Sequence, residues 1–216
     1  MKKLALAVAL SMAATTSFAA VLDFSGNICN GGMACINGSF VDQAHGSMAG
    51  VDVTYNGTNT AFDATDEEFQ YWSSTFGGAL TDVIITNASS SEIRFVAKAG
   101  YEVSLGGLDL GTFGSAPAPG GISISVVDLF DDSVLFSSGN LAVAGGGPQN
   151  VAFNVSSTSG LGLLFSGNLP NIAVDKINYV AVLSSDPVNP VPLAASAWLL
   201  GVGLFGLFGG RRRRKS

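Results

Sequence analysis

Ile122-Ser123-Ile124-Ser125-Val126 alternates apolar and polar residues one by one, a period that puts every apolar side chain on one face of a strand. Short apolar or alternating segments recur at 21–24, 51–55, 80–86, 92–97, 101–105, 122–130, 134–137, 151–155, 161–165 and 172–183. Clusters of Gly, Ser and Asn separate them. Many short strands with dense turn chemistry predict an all-β fold, a single β-sandwich of jelly-roll-like form spanning 20–187. That length holds one substantial core and does not call for two domains. Phe130-Asp131-Asp132-Ser133-Val134 reads as a tight turn joining two strands. Residues 64–72 are the one internal stretch predicted as a short helix. The Pro- and Gly-rich stretches 115–121 and 144–148 read as surface loops, and 184–190 as a linker.

Both ends of the chain have a different character. Met1-Lys2-Lys3 is a basic leader, 4–12 is apolar, and Ser17-Phe18-Ala19 offers small residues at the positions a signal peptidase reads. Residues 1–19 are therefore expected to be a signal peptide cleaved after Ala19. At the other end, 193–210 is uncharged, and 18 residues at about 1.5 Å each span roughly 27 Å, close to a bilayer's hydrocarbon thickness. This predicts one C-terminal transmembrane helix, with the basic end 211–215 held on the cytoplasmic side. The domain between the two segments is then outside the cytoplasm. Gly201-Val202-Gly203-Leu204-Phe205-Gly206 matches a dinucleotide-binding glycine pattern only formally, because it lies within the apolar run.

The tail from 188 to 216 is built of Val191, Pro192 and Leu193, then Trp198-Leu199-Leu200-Gly201 within the apolar segment, then Arg211, Arg212, Arg213, Arg214 and Lys215. In this three-part order it resembles the PEP-CTERM sorting signal of Gram-negative bacteria, with Leu193 where the name-giving motif has Glu. The resemblance implies an exosortase-like processing enzyme as partner and a transient hold in the inner membrane. Delivery to the cell surface or extracellular matrix would follow. The exported part also resembles a recurrent group of PEP-CTERM proteins of unassigned activity, through Asn37-Gly38-Ser39, Val51-Asp52-Val53-Thr54-Tyr55, Tyr101-Glu102-Val103-Ser104-Leu105 and Ala173-Val174-Asp175-Lys176-Ile177. Its last strand is similar to those of galactose-binding-like jelly rolls, which raises binding of extracellular polysaccharide. The same likeness makes Asp23 and Asp175 the candidate pair for a structural calcium ion, the one cofactor considered. Calcium takes six to eight oxygen ligands, so orientation of the termini or simple solvation is the weightier reading for two acids.

Charge and cysteine use narrow the function further. Seven of the ten Lys and Arg residues lie in the terminal segments, leaving Arg94, Lys98 and Lys176 against all 16 acids. The exported part thus carries −13, a field that repels phosphate backbones and argues against nucleic acid as a partner. Cys29 and Cys35, the only cysteines, enter an oxidising compartment and are expected to form a local disulfide. His45 is the only histidine, and no nucleophile elbow accompanies it. Asp66, Glu67, Glu68, Asp131 and Asp132 are available for glycoside hydrolysis, yet they sit among turn residues and read as solvated acids. Tyr71, Trp72 and Phe76 read as core before they read as a sugar-stacking platform. The expectation is a non-enzymatic surface or matrix protein that binds polysaccharide; the alternatives are a secreted carboxylate-dependent glycoside hydrolase and a purely structural matrix protein.

Overall fold

Period-two burial marks several of the described strands, as in β5, where Ser91, Ile93 and Phe95 point inward between half-buried Ser90, Glu92 and Arg94. A computed structural model describes residues 17–29, 34–56, 69–73, 76, 80–86, 88, 90–114, 120–145, 147–169 and 172–184. All belong to one unit, Met1–Ser184. The residues expected to form the sorting signal, Val191, Pro192, Leu193 and Arg211 to Arg214, the predicted transmembrane helix and residues 1–16 of the expected signal peptide lie outside the described residues. So do Asp66, Glu67 and Glu68.

Among the described residues there are eleven strands: β1 (Ser17–Leu22), β2 (Val51–Asn56), β3 (Phe69–Trp72), β4 (Val83–Thr86), β5 (Ser90–Ala97), β6 (Tyr101–Thr112), β7 (Ile122–Asp128), β8 (Val134–Ser137), β9 (Gln149–Ser157), β10 (Gly160–Gly167) and β11 (Ile172–Leu183). They form two antiparallel sheets, as the alternation predicted. One runs β3-β4-β11-β6-β9, with β1 also on β11, and the other runs β2-β5-β10-β7-β8. Successive strands mostly change sheet, from β4 through β7 and from β9 through β11. The inner faces meet in a core that includes Phe24, Tyr55, Phe95, Leu105, Leu108 and Phe165, each at most 1% exposed. A buried aromatic removes roughly 150–250 Å² from water, at about 25 cal/mol per Å², so a few such residues outweigh any single polar contact.

Three local outcomes are worth setting beside the sequence. The turn after β7 is as expected: Asp128 N–H donates to Ser133 O at 2.9 Å, Asp132 N–H to Asp128 O at 3.0 Å, and Asp132 takes φ 57°. Cys29 and Cys35 are disulfide-bonded, with Cα atoms 5.4 Å apart. The helix predicted to end at Trp72 is corrected, because Phe69–Trp72 is strand β3, paired with β4 and alternating buried and half-buried. Three aromatics in four residues favour a half-buried pleated surface, and pairing with β4 satisfies the backbone that a helix would have bonded internally. Tyr71 and Phe76 are core residues, Trp72 packs against Phe76, Leu80 and Val83, and the Tyr71 hydroxyl donates to Asp82.

Candidate functional site

Strand register is interrupted at one level across three neighbouring strands. Between β11 and β6 the pairs run Asp175↔Asp109, then Asn178↔Gly107, then Tyr179↔Leu105. Between β6 and β9 they run Leu105↔Val155, then Gly107↔Ala152. Each step leaves an extra residue on one strand, which is a β-bulge that kinks its strand and re-aims side chains. Lys176 on β11 and Asn154 on β9 take positive φ, 49° and 54°, where these bulges fall. Gly107 belongs to the same seam: a Cβ there would lie 2.5 Å from Val151 O and 3.1 Å from Ala152 Cα, so β9 approaches β6 too closely for any side chain.

At this seam the outer face of the first sheet holds an open groove of about 490 Å³, lined by 19–21 of β1, 104–106 of β6, 154–156 of β9 and 178–180 of β11. Volumes of this size are typical of small-ligand sites. Asn154, Ser156 and Asn178 are exposed and Ser104 is half-buried, so two amides and two hydroxyls face the groove side of the sheet. Between them Gly106 leaves the middle strand bare. Asn178 is oriented by its own amide, whose Nδ2 donates to Lys176 O at 3.2 Å. Tyr179 contributes only to the floor; its ring packs 5.2 Å from Phe95 and its hydroxyl donates to Gly46 O. No carboxylate lines the groove among the described residues.

Beside the groove lies a charged row. Asn150, Asp109 and Asp175 are register partners on β9, β6 and β11. Asn150 Nδ2 donates to Asp109 Oδ1 at 3.1 Å, and the Lys176 ammonium sits 3.7 Å from Asp109 Oδ2 and 4.0 Å from Asp175 Oδ2. Asp175 is 4% exposed, and burial pushes its carboxyl up to about 6, with the Asp109 and Asp23 carboxylates adding to the rise. The Lys176 N–H, which donates to Asp175 Oδ1 at 2.7 Å, and the Lys176 ammonium oppose it. Asp23 is exposed and is engaged locally, accepting from the Ser25 hydroxyl at 2.9 Å. The two acids proposed for calcium are thus close enough to feel each other's charge, and the cation standing with Asp175 and Asp109 is the chain's own Lys176.

Other sequence candidates have structural roles. His45 Nε2 donates to Asp23 O at 2.8 Å and its ring packs 5.7 Å from Phe24. Asp131 and Asp132 are exposed in the β7–β8 turn, where Ser133 hydrogen bonds hold the Asp131 carboxyl below its usual range. That is the solvated-acid reading. The groove residues Asn154, Asn178, Ser104 and Ser156 were not singled out in the sequence. The signal for two of them was there: Asn is disfavoured within strands, yet Asn154 interrupts the apolar run 151–155 and Asn178 sits between Ile177 and Tyr179.

No family model and no curated protein matches the chain. Among solved structures, one similar in shape is that of Caldicellulosiruptor saccharolyticus CBM27-1 in complex with mannohexaose, at 12% identity over 74% of this chain and 96% of that one. The TM-score of that match is 0.33.

Proposed function

We propose that this is an exported surface or extracellular-matrix protein of a Gram-negative bacterium, delivered by an exosortase-like pathway, whose jelly-roll-like sandwich binds polysaccharide and carries out no catalysis. The single observation behind the binding role is the outer-face groove, open along the sheet and offering amides and hydroxyls without a carboxylate in its lining. Neutral donors and acceptors on a rigid sheet match the hydroxyl-rich edge of a sugar chain, and an open trough admits a polymer with no free end. A glycosidase needs two carboxyl groups flanking the scissile bond, and the described lining residues include none. The crossing of strands between the sheets is the connectivity read as jelly-roll-like. The delivery route rests on the terminal sequence segments alone.

Glycan-array binding by the processed protein, compared with Asn154→Ala and Asn178→Ala, tests the site. Both side chains are exposed, so the variants should stay folded with a loss of only about 1 kcal/mol, from alanine at the positive φ of 154 or from the lost Asn178 hydrogen bond to Lys176 O, while affinity falls about tenfold, the weight of one or two hydrogen bonds. Retention of full affinity in both variants would remove the groove from the account.

A further inference from the structure

β1 crosses the expected cleavage point. Its six residues pair with β11 from Ser17↔Val182 to Leu22↔Ile177, so cleavage after Ala19 removes Ser17, Phe18 and Ala19 and leaves Ala20, Val21 and Leu22 opposite Tyr179, Asn178 and Ile177. Ala20 lines the groove, and it becomes the first residue of the mature chain. Processing therefore does two things at this wall. It takes Ala19 out of the lining, and it converts the peptide nitrogen of Ala20 into a primary amine.

That amine is electrostatically distinctive. Every basic side chain of the exported part already has an acid beside it: Arg94 with Glu92 at 2.9 Å, Lys98 with Asp52 at 2.9 Å, and Lys176 with Asp109 and Asp175. The groove lining contributes no carboxylate to neutralise a new charge. Asp23, three residues further along the chain from Ala20, lies past the end of β1 and its carboxylate is engaged locally by the Ser25 hydroxyl.

We propose that removal of the signal peptide installs the α-ammonium group of Ala20 on the groove wall, and that this group binds the carboxylate of a glycan carrying isolated uronic acid residues. The assignment rests on the polysaccharide-binding reading of the groove and on cleavage after Ala19. The remaining negative charge of the domain selects against densely charged polymers. Nucleic acid presents one charge per 1.7 Å or so of duplex, whereas a glycan with occasional acid groups brings one charge to the ammonium and neutral hydroxyls to Asn154 and Asn178.

The test uses protein processed during export of the full chain. N-terminal sequencing should read Ala20 first. Binding is then measured for a xylotriose bearing a single glucuronic acid and for its methyl ester, which has the same shape without the charge, before and after acylation of the α-amine near pH 6.5. The α-amine, with a pKa of about 7.7–8.0, is far more reactive there than a lysine at about 10.4. The acid is expected to bind about three- to tenfold more tightly than the ester, the range of one partly exposed ion pair. That advantage should vanish on acylation and as pH rises through about 8, while ester binding persists and is lost in Asn178→Ala. Equal binding of acid and ester, an acid advantage that survives acylation, or a mature N-terminus other than Ala20 overturns the assignment and leaves the groove reading standing. Failure of both probes to bind overturns the assignment, and the glycan array then decides the groove reading separately.

Discussion

Gly160 is where the chain leaves the first sheet, at the end of β9, and enters the second, at the start of β10. The turn is capped by the Ser157 hydroxyl, which accepts from Ser159 N–H at 3.0 Å and Gly160 N–H at 3.3 Å. Gly160 has φ 114°, beyond the left-handed well that L-residues visit, and a Cβ there would lie 2.4 Å from Phe95 O, 2.9 Å from Val96 Cα and 2.9 Å from Ala97 N. All three are backbone atoms of β5, so no rotamer change relieves the contact. Replacing Gly160 by Ala combines backbone strain of about 1–3 kcal/mol with overpacking of about 1–3 kcal/mol, so the expected loss is about 3–5 kcal/mol. Against a total stability of about 5–15 kcal/mol that is a large fraction. Gly139 supplies the control, having φ 61° with nothing within 4 Å of its would-be Cβ, so Gly139→Ala should cost only about 1 kcal/mol. Urea unfolding followed by fluorescence reads both. With a slope of about 2 kcal/mol per molar, the Gly160→Ala midpoint should fall by about 2 M and the Gly139→Ala midpoint by about 0.5 M. Similar small losses for the two variants would refute the claim that close approach of β5 dictates glycine at the crossover.

Asp175→Asn should stabilise the protein at neutral pH. The folded carboxyl titrates at about 6 against an ordinary 3.8, so as pH rises between those values the unfolded chain ionises first and the folded state loses stability. The variant should gain up to about 3 kcal/mol over wild type above pH 6, less what Lys176 forfeits, and nothing below pH 4; thermal melts in chelator-treated buffer across pH 3.5–8 check both limits. Cys29→Ser should lower stability by about 2 kcal/mol, since the bridged cysteines are six positions apart and a short closed loop restrains the unfolded chain only modestly. A reductant should lower the wild-type melting temperature to that of the variant and leave the variant's own value unchanged.

Sheet class and ten of the eleven described strands were legible because burial follows alternation, and alternation is written directly into segments such as 122–128 and 92–97. Residues 101–112 show where that reading stopped. The sequence suggested a strand ending at Leu105, since Gly106-Gly107 looks like punctuation, but β6 continues to Thr112. There the glycines mark a bulge and a close approach by β9, which depend on the partner strand and leave no local trace. β3 was missed for a related reason. Four residues cannot establish a period, and what makes Phe69–Trp72 a strand is its pairing with β4. The site was less legible still. Asn154, Asn178 and Ser104 are 24 to 74 positions apart in the chain, and only the order β11-β6-β9 makes them neighbours.

The bulge at Lys176 explains how a chain with this residue order makes a groove. Ile172 and Val174 enter the main core, and so do Ile177, Tyr179 and Ala181; strict alternation from Val174 would instead send Lys176, Asn178 and Val180 inward. One extra residue reverses the parity. It keeps Tyr179 in the core and turns Asn178 out beside Gly106. The conformation costs about 1 kcal/mol for a lysine at positive φ, and it persists because both backbone groups of Lys176 find side-chain partners, its N–H at Asp175 Oδ1 and its carbonyl at Asn178 Nδ2. Asn154, on the other side of β6, takes its positive φ at lower cost, since asparagine tolerates that region. Positive φ on two strands, with the bare glycine strand between them, places two bulges beside one groove, and because bulges and backbone strain concentrate where side chains are re-aimed for binding, this seam is where function is proposed on the sandwich.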